Sequence, residues 1–175
     1  MKKLLAVSVI LLLILASCVK NNIKCNFTDS TVVAPDSEVQ ALKDSLTAHG
    51  IQANAHPSGF FYTINSQGTG QAVSNLCSNL TVTYKGSLLN GHVFDSTRID
   101  STVTPHLPIP ANFQLGNVIV GWQKGVPLIS KGGDITLYIP PSLGYGPNPV
   151  TDNNGNVIIP GNSNLIFTVH IEDIQ

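Results

Sequence analysis

Charged residues are scarce in this sequence: they make up 11% of its 175 residues, whereas about 25% is usual. Lysine and arginine form no cluster and the formal net charge is −1, which excludes a nucleic-acid-binding surface and argues against a phosphate site. The 3 cysteines and 5 histidines show no ligand spacing, so no metal site is expected. A hydrophobic share of 42% is nevertheless enough for the core of one domain with an extension.

The first segment of the chain has the features of an export signal. A short positive start, Met1-Lys2-Lys3, precedes an apolar run from Leu4 to Ala16. This run is shorter than the roughly 20 apolar residues that span a bilayer, and small residues follow it, as in secretory signal peptides. Leu15-Ala16-Ser17-Cys18 resembles the lipobox of bacterial lipoproteins, which implies that residues 1–17 are removed and Cys18 is acylated. The alternative is an ordinary signal peptide in which Cys18 is incidental.

Two cysteines, Cys25 and Cys77, remain in the exported chain besides the predicted anchor. An isolated pair in an oxidising compartment usually forms a disulfide. The sequence therefore predicts a Cys25–Cys77 bond, and two free thiols are the alternative.

The pattern of residues divides the chain into a tether, a short helix and a β-rich region. Residues 18–35 are polar and predict a lipidated tether. Apolar residues then recur at helical spacing, which predicts a helix over about 36–49 within a helical extension at 36–58. From residue 59 to 175 the sequence favours strands. The predicted strands are 60–64, 80–84, 89–94 (two strands around Asn-Gly), 113–115, 135–139 and 164–171.

A single helix is predicted inside this β-rich region, over the short apolar stretch 120–129. The stretch 147–156, rich in Pro, Asn and Gly, predicts an exposed loop. Strands accompanied by one helix indicate an α+β fold.

Six short motifs in this region resemble, in order, those of the FKBP-type peptidyl-prolyl isomerases. The resemblance covers about residues 79–175, and 59–70 resembles an extra strand that precedes the domain in longer bacterial members. The motifs are Val82-Thr83-Tyr84-Lys85-Gly86, Gly91-His92-Val93-Phe94-Asp95-Ser96, Phe113-Gln114-Leu115-Gly116 with Val118-Ile119-Val120-Gly121-Trp122, Lys131-Gly132-Gly133, Pro140 to Gly146, and Ile158-Ile159-Pro160 with Asn164 to Phe167.

This resemblance implies a five- to six-stranded antiparallel sheet wrapped around one short helix, with an N-terminal helical extension and an apolar pocket between sheet and helix. It also implies roles for individual residues. Trp122 would form the pocket floor, and Val118 and Ile119 its rim, with the Ile119 N–H donating to a substrate carbonyl. The other roles are aromatic walls at Tyr84, Phe94 and Phe167, a hydroxyl donor at Tyr145, a carboxylate beside the reacting amide at Asp95, and a cover at Ile158.

Three features depart from the family pattern. Ala111 stands where many members carry an aromatic pocket residue, which predicts a wider or weaker pocket. No basic partner for Asp95 is evident, and Arg98 is the nearest candidate. The loop 146–158 is longer than in the smallest members, and it overhangs the pocket in the family.

The function implied is isomerisation of X–Pro bonds in exported proteins. No bond breaks in this reaction, so neither a nucleophile, a metal nor a cofactor is required, in keeping with the lack of a Ser-His-Asp or Cys-His set. Proline-containing segments of exported chains are the expected partners. The alternatives are a non-catalytic peptide-binding or chaperone lipoprotein on the same fold, and a surface adhesin or structural lipoprotein that reuses a β domain.

Overall fold

A computed structural model describes residues 25–175 of the chain. Three sequence predictions lie outside the described residues: the signal segment 1–17, the lipidation of Cys18 and the first part of the tether. The helices are α1 (Asp36–Ala48) and α2 (Val120–Gly125). The strands are β1 (Asn54–Ala55), β2 (Phe61–Ser66), β3 (Asn79–Leu88), β4 (Val93–Ser96), β5 (Ile99–Asp100), β6 (Leu107–Pro108), β7 (Ala111–Gln114), β8 (Asp134–Ile139), β9 (Val150–Thr151), β10 (Val157–Ile159) and β11 (Leu165–Ile174).

Helix α1 forms where the helical spacing predicted it, within one residue at its end. Acidic Asp36 and Glu38 lie in its first turn, where they interact favourably with the helix dipole. Gly50, with φ of +67°, follows the last turn in the left-handed conformation that ends many helices. The buried face of α1, Leu42 and Leu46, packs against Phe61 and Tyr138 of the sheet.

The main sheet is antiparallel and has seven strands in the order β1-β2-β8-β11-β3-β4, with β7 also paired to β3. Strands β4 and β7 pair with the same edge of β3, one after the other, because Gly86 pairs with Asp95 and Leu80 pairs with Phe113. The predicted antiparallel fold with an N-terminal helix is confirmed. The sheet has one strand more than expected, because the two-residue β1 adds to its edge.

Helix α2 lies close against the sheet and forms the other wall of the core. A side chain at Gly121 would overlap Ile139, and one at Gly125 would overlap Leu137, so both glycines permit the close approach of helix and β8. The α-helix ends at Gly125 and continues as a 3-10 turn at Val126–Leu128, which is shorter than the predicted 120–129 helix. Pro127 explains this difference, since proline has no N–H to continue the ladder.

Two small hairpins escaped the sequence prediction. Strands β5 and β6 pair within 97–110, the segment that joins β4 to β7, and β9 pairs with β10 inside the predicted 147–156 loop and just beyond it. These strands have two or three residues each, which is too short for alternation to be recognised. Over residues 25–175 the structure contains no helix that is long and apolar enough to cross a membrane.

Candidate functional site

A cavity of about 250 Å³ opens between the N-terminal end of α2 and the face of the sheet that α2 covers. Strands β3, β4, β7 and β11 and the turn before α2 contribute its walls, and the loop after β8 reaches its mouth. The lining residues are Tyr84, Asp95, Phe113, Asn117, Val118, Ile119, Trp122, Tyr145 and Phe167.

The floor of the cavity is a set of aromatic rings that contact one another edge-on. Trp122 is only 4% exposed, and its ring centroid lies 5.6 Å from Tyr84, 5.8 Å from Phe113 and 5.3 Å from Phe167. Interplanar angles of 74° to 89° make all three contacts T-shaped, an arrangement that aromatic quadrupoles favour. The ring faces are therefore held rigidly around an apolar space.

A carboxylate lies at the side of this aromatic floor. The Tyr84 hydroxyl donates a hydrogen bond of 2.7 Å to Oδ2 of Asp95. Burial of the phenol, and next the hydrogen bond to Asp95, raise the pKa of Tyr84 well above its ordinary value. The phenol therefore stays protonated and fixes the carboxylate against the cavity wall.

Tyr145 stands at the mouth of the cavity and is 43% exposed. Partial burial and the nearby charge of Asp95 raise the pKa of Tyr145, so its hydroxyl stays protonated at neutral pH and can donate a hydrogen bond. Within residues 25–175 the structure gives this hydroxyl no hydrogen-bond partner, which leaves it available to a ligand.

The rim of the cavity is the turn that leads into α2. Gln123 holds this turn, because its Nε2 donates to the carbonyl oxygen of Val118 at 2.8 Å. The Ile119 N–H has no acceptor in the described part of the chain. The indole N–H of Trp122 is likewise buried without a partner among residues 25–175. The Ile119 N–H at the rim is thus the backbone donor available to a bound carbonyl.

Seven of the nine predicted site residues line the cavity: Tyr84, Asp95, Val118, Ile119, Trp122, Tyr145 and Phe167. The other two, Phe94 and Ile158, lie outside its lining. Phe94 packs edge-on against the Phe167 ring with centroids 5.5 Å apart, so it supports the ring that forms this wall. Ile158, in β10, packs half-buried against the core. Their contact with a substrate stays a prediction.

Phe113 and Asn117 line the cavity and were not predicted to do so. Phe113 lies two residues after Ala111 in β7, so the two side chains point to the same face of the strand. Its ring contacts both Tyr84 and Trp122. The small side chain at Ala111 therefore does not leave the cavity without an aromatic wall on this side. The period of two in β7 was the signal that could have identified Phe113.

Arg98, the nearest candidate for a basic partner of Asp95, does not pair with it among residues 25–175. Arg98 is exposed and forms no ion pair there; the ion pairs present are Lys131–Asp173 and those of His170 with Asp134 and Glu172. Tyr84 takes the place of a basic partner, because it is the group that bonds Asp95. No group of three or more His, Cys, Asp or Glu in this part of the chain could hold a metal ion.

The two cysteines are joined in the structure. A disulfide connects Cys25 to Cys77, with their Cα atoms 5.5 Å apart. Cys77 lies in the loop just before β3, so the bond fixes the described start of the chain beside the cavity rim.

Comparison with known proteins gives one consistent result. A family model described as FKBP-type peptidyl-prolyl cis-trans isomerase matches residues 71–172. The FKBP-type peptidyl-prolyl cis-trans isomerase FkpA of Buchnera aphidicola from Schizaphis graminum is 42% identical over 118 residues, which are 67% of this chain and 42% of that protein. The chain thus spans less than half the length of this relative.

Solved structures show the same fold. The crystal structure of FkpA from Escherichia coli has a TM-score of 0.61 and 31% identity, over 80% of this chain and 60% of that one. A peptidyl-prolyl cis-trans isomerase from Pseudomonas syringae has a TM-score of 0.62 over 83% of this chain and 99% of that one. Its identity is 22%, so it supports the fold alone.

Proposed function

This chain belongs to the FKBP-type peptidyl-prolyl cis-trans isomerase family, and from that premise we propose that it isomerises X–Pro bonds in its aromatic cavity. The observation that carries the proposal is the rigid set of rings around Trp122, with the Tyr84–Asp95 pair at its side and the Tyr145 hydroxyl at its mouth. A proline ring fits against such apolar faces, while its flanking peptide groups meet the donors at the rim.

The chemistry needed is rotation about one amide bond. The planar amide is held by resonance, and its barrier to rotation is about 18–20 kcal/mol. A twisted amide has less charge separation than a planar one, so a cavity with little water favours the twisted form. Catalysis then consists of binding the transition state more tightly than the ground state.

Each polar group of the site has a place in this scheme. The Ile119 N–H is available to a carbonyl of the peptide, which would fix the chain on one side of the proline. The Tyr145 hydroxyl would donate to the peptide on the other side. Asp95, held by Tyr84, would lie beside the reacting amide and interact with its changing dipole. None of these steps transfers a proton or forms a covalent bond.

We extend the proposal to the setting of the protein. Residues 1–17 would direct export and Cys18 would carry the lipid anchor, so that a domain at 59–175 acts on proline-containing segments of exported chains. The support is the lipobox-like sequence Leu15 to Cys18 and the Cys25–Cys77 bond, which suits an oxidising compartment. Mass spectrometry tests this: Cys18→Ser should remove the acyl mass found on the wild-type chain, and an unchanged mass shift would contradict the anchor.

A proline-isomerisation assay tests the activity. The full chain, purified in detergent, is added to peptides that vary in the residue before proline, and the cis-to-trans rate is followed by a coupled protease. We expect a rate that increases in proportion to the protein concentration. A folded protein that binds these peptides without accelerating the reaction would instead be the non-catalytic binding module, and one that does neither would contradict both.

A further inference from the structure

The described start of the chain, residues 25–38, reaches both sides of the cavity although it precedes the 71–172 stretch that the family model matches. Cys25 is bonded to Cys77 by a disulfide, and the backbone N–H of Ala34 donates to the carbonyl oxygen of Ser58 at 2.9 Å. This N-terminal segment is thus fixed to the domain surface at two points before α1 begins.

On one side of the cavity, Phe27 packs on the rim turn. A side chain at Gly116 would overlap the Phe27 ring, so the ring lies directly on the Gly116 backbone. The Gly116 N–H donates to the carbonyl oxygen of Leu76 at 2.7 Å, and Leu76 precedes the disulfide-bonded Cys77. Gly116 leads directly into Asn117, Val118 and Ile119, which line the cavity. Phe27 and the loop at Cys77 therefore hold the rim from outside.

On the other side, Glu38 holds the loop that carries Tyr145. Oε2 of Glu38, in the first turn of α1, accepts a 2.9 Å hydrogen bond from the Ser142 N–H, 104 residues further along the chain. Ser142 lies in a 3-10 turn at Pro141–Leu143, and the Gly146 N–H donates back to Pro141 at 2.9 Å. This second bond closes the loop around Tyr145. A bond from a backbone N–H to an ionised carboxylate is stronger than one between neutral groups.

We propose that Phe27 and Glu38 are positioning residues of the isomerase site, through which the N-terminal segment holds the rim turn and the Tyr145 loop at their productive separation. The inference rests on the proposed function. Neither residue lines the cavity, so each acts through its neighbour. Preorganised donors matter because a small displacement of a catalytic group lowers the rate sharply.

Kinetic measurements on the full chain in detergent test the proposal first. Phe27→Ala and Glu38→Ala should each lower kcat/KM about three- to tenfold, and the double variant should lower it by roughly the product, because the two contacts are separate. Glu38→Gln retains an acceptor oxygen without the charge and should recover part of the loss. The matched controls are Val33→Ala, an exposed residue of the same segment, and Asp36→Asn in the same helical turn, and both should stay at the wild-type rate.

Amide hydrogen exchange distinguishes positioning from a general loss of stability. Phe27→Ala should accelerate exchange at the Gly116 amide, and Glu38→Ala should accelerate it at the Ser142 amide, while the amides of β11 keep their wild-type protection. Trp122 is the only tryptophan of the chain, so its single indole N–H signal reports the pocket floor. That signal should broaden or shift in both alanine variants and stay unchanged in the two controls.

A reciprocal pair of variants keeps the test decisive. Gly116→Ala adds a methyl group where the Phe27 ring lies, so it should lower kcat/KM, and adding Phe27→Ala to it should restore part of the loss. Alanine variants at Phe27 and Glu38 that keep wild-type kcat/KM and wild-type exchange at Gly116 and Ser142 would overturn the proposal. A wild-type chain without isomerase activity would contradict the proposed function instead, and positioning would then be judged on the exchange rates and the Trp122 signal.

Discussion

The floor and the mouth of the cavity are built in different ways. The floor consists of rings that belong to the core, since Trp122 and Phe167 are 4% and 3% exposed. The mouth consists of loop residues. Tyr145 is 43% exposed, and no aromatic ring of residues 25–175 stacks against it. We therefore expect the floor to contribute both to folding and to ligand binding, and the mouth to contribute to ligand binding with little effect on folding. This difference predicts that substitutions in the two regions affect stability and catalysis in different proportions.

The largest effect is expected at the floor. Trp122→Ala removes the ring that contacts Tyr84, Phe113 and Phe167, and truncation of a buried aromatic residue costs about 3–5 kcal/mol in the free energy of unfolding. Isomerase activity should fall with it. Denaturant unfolding followed by circular dichroism measures the loss, and Trp122→Phe, which keeps an aromatic ring, is the control with a smaller loss. A fall of less than about 1 kcal/mol in the unfolding free energy of Trp122→Ala would contradict the expected difference between floor and mouth.

A smaller and purely catalytic effect is expected at the mouth. Tyr145→Phe keeps the ring and removes one hydroxyl, and a typical hydrogen bond contributes about 0.5–1.5 kcal/mol, so kcat/KM should fall about two- to tenfold. The melting temperature should stay at the wild-type value. Tyr62→Phe, in β2 away from the cavity, is the matched control and should change neither quantity. A lowered melting temperature for Tyr145→Phe would mean that the mouth is part of the core after all.

The smallest expected effect is a dependence of the unfolding free energy on pH. It comes from Tyr84, at the boundary between the floor and the mouth. The pKa of Tyr84 is higher in the folded chain than its ordinary value of 10.0, so the folded state keeps the phenolic proton when the unfolded state begins to lose it. The stabilising contribution of Tyr84 is therefore complete below pH 10 and is lost progressively as the pH rises above it. The difference in unfolding free energy between wild type and Tyr84→Phe should then narrow from pH 9 to pH 11.

Unfolding curves of both chains at each pH provide that measurement. Lysines and the other tyrosines titrate in the same range, but they are common to both proteins and cancel in the difference. A difference that stays constant or widens above pH 10 would show that Tyr84 does not bond Asp95 as a protonated phenol.

Much of the fold was predictable because its long elements bury one regular face. In β11, Leu165, Phe167, Val169 and Ile171 are buried in alternation, and the pattern was visible in the sequence. The helix at Asp36 followed in the same way from Leu42 and Leu46. The β5–β6 and β9–β10 hairpins were not predictable, because they bury few side chains. Their positions depend on the strands of the main sheet between which each hairpin lies.

The site was predictable where a motif determines the position of a side chain. Tyr84, Asp95 and Trp122 lie within such motifs, and the structure brings them together. Phe113 was not predicted, because the family motif places the aromatic pocket residue at position 111, whereas this chain has it two residues later on the same face of β7. The contacts of Phe27 and Glu38 were not predictable, because residues as distant in sequence as Glu38 and Ser142 meet only in the folded chain.

The arrangement of β4 and β7 on one edge of β3 has a consequence for how such a protein can change over generations. Both strands are fixed by their own pairing with β3, so the intervening 97–110 segment begins and ends at fixed points whatever its length. Doubling a flexible loop costs only about 0.6 kcal/mol in closure entropy, and nearly every residue from 98 to 110 is exposed. Insertions and replacements there would leave the sheet intact, so this interval is a place where lineages can acquire new surface beside an unchanged pocket.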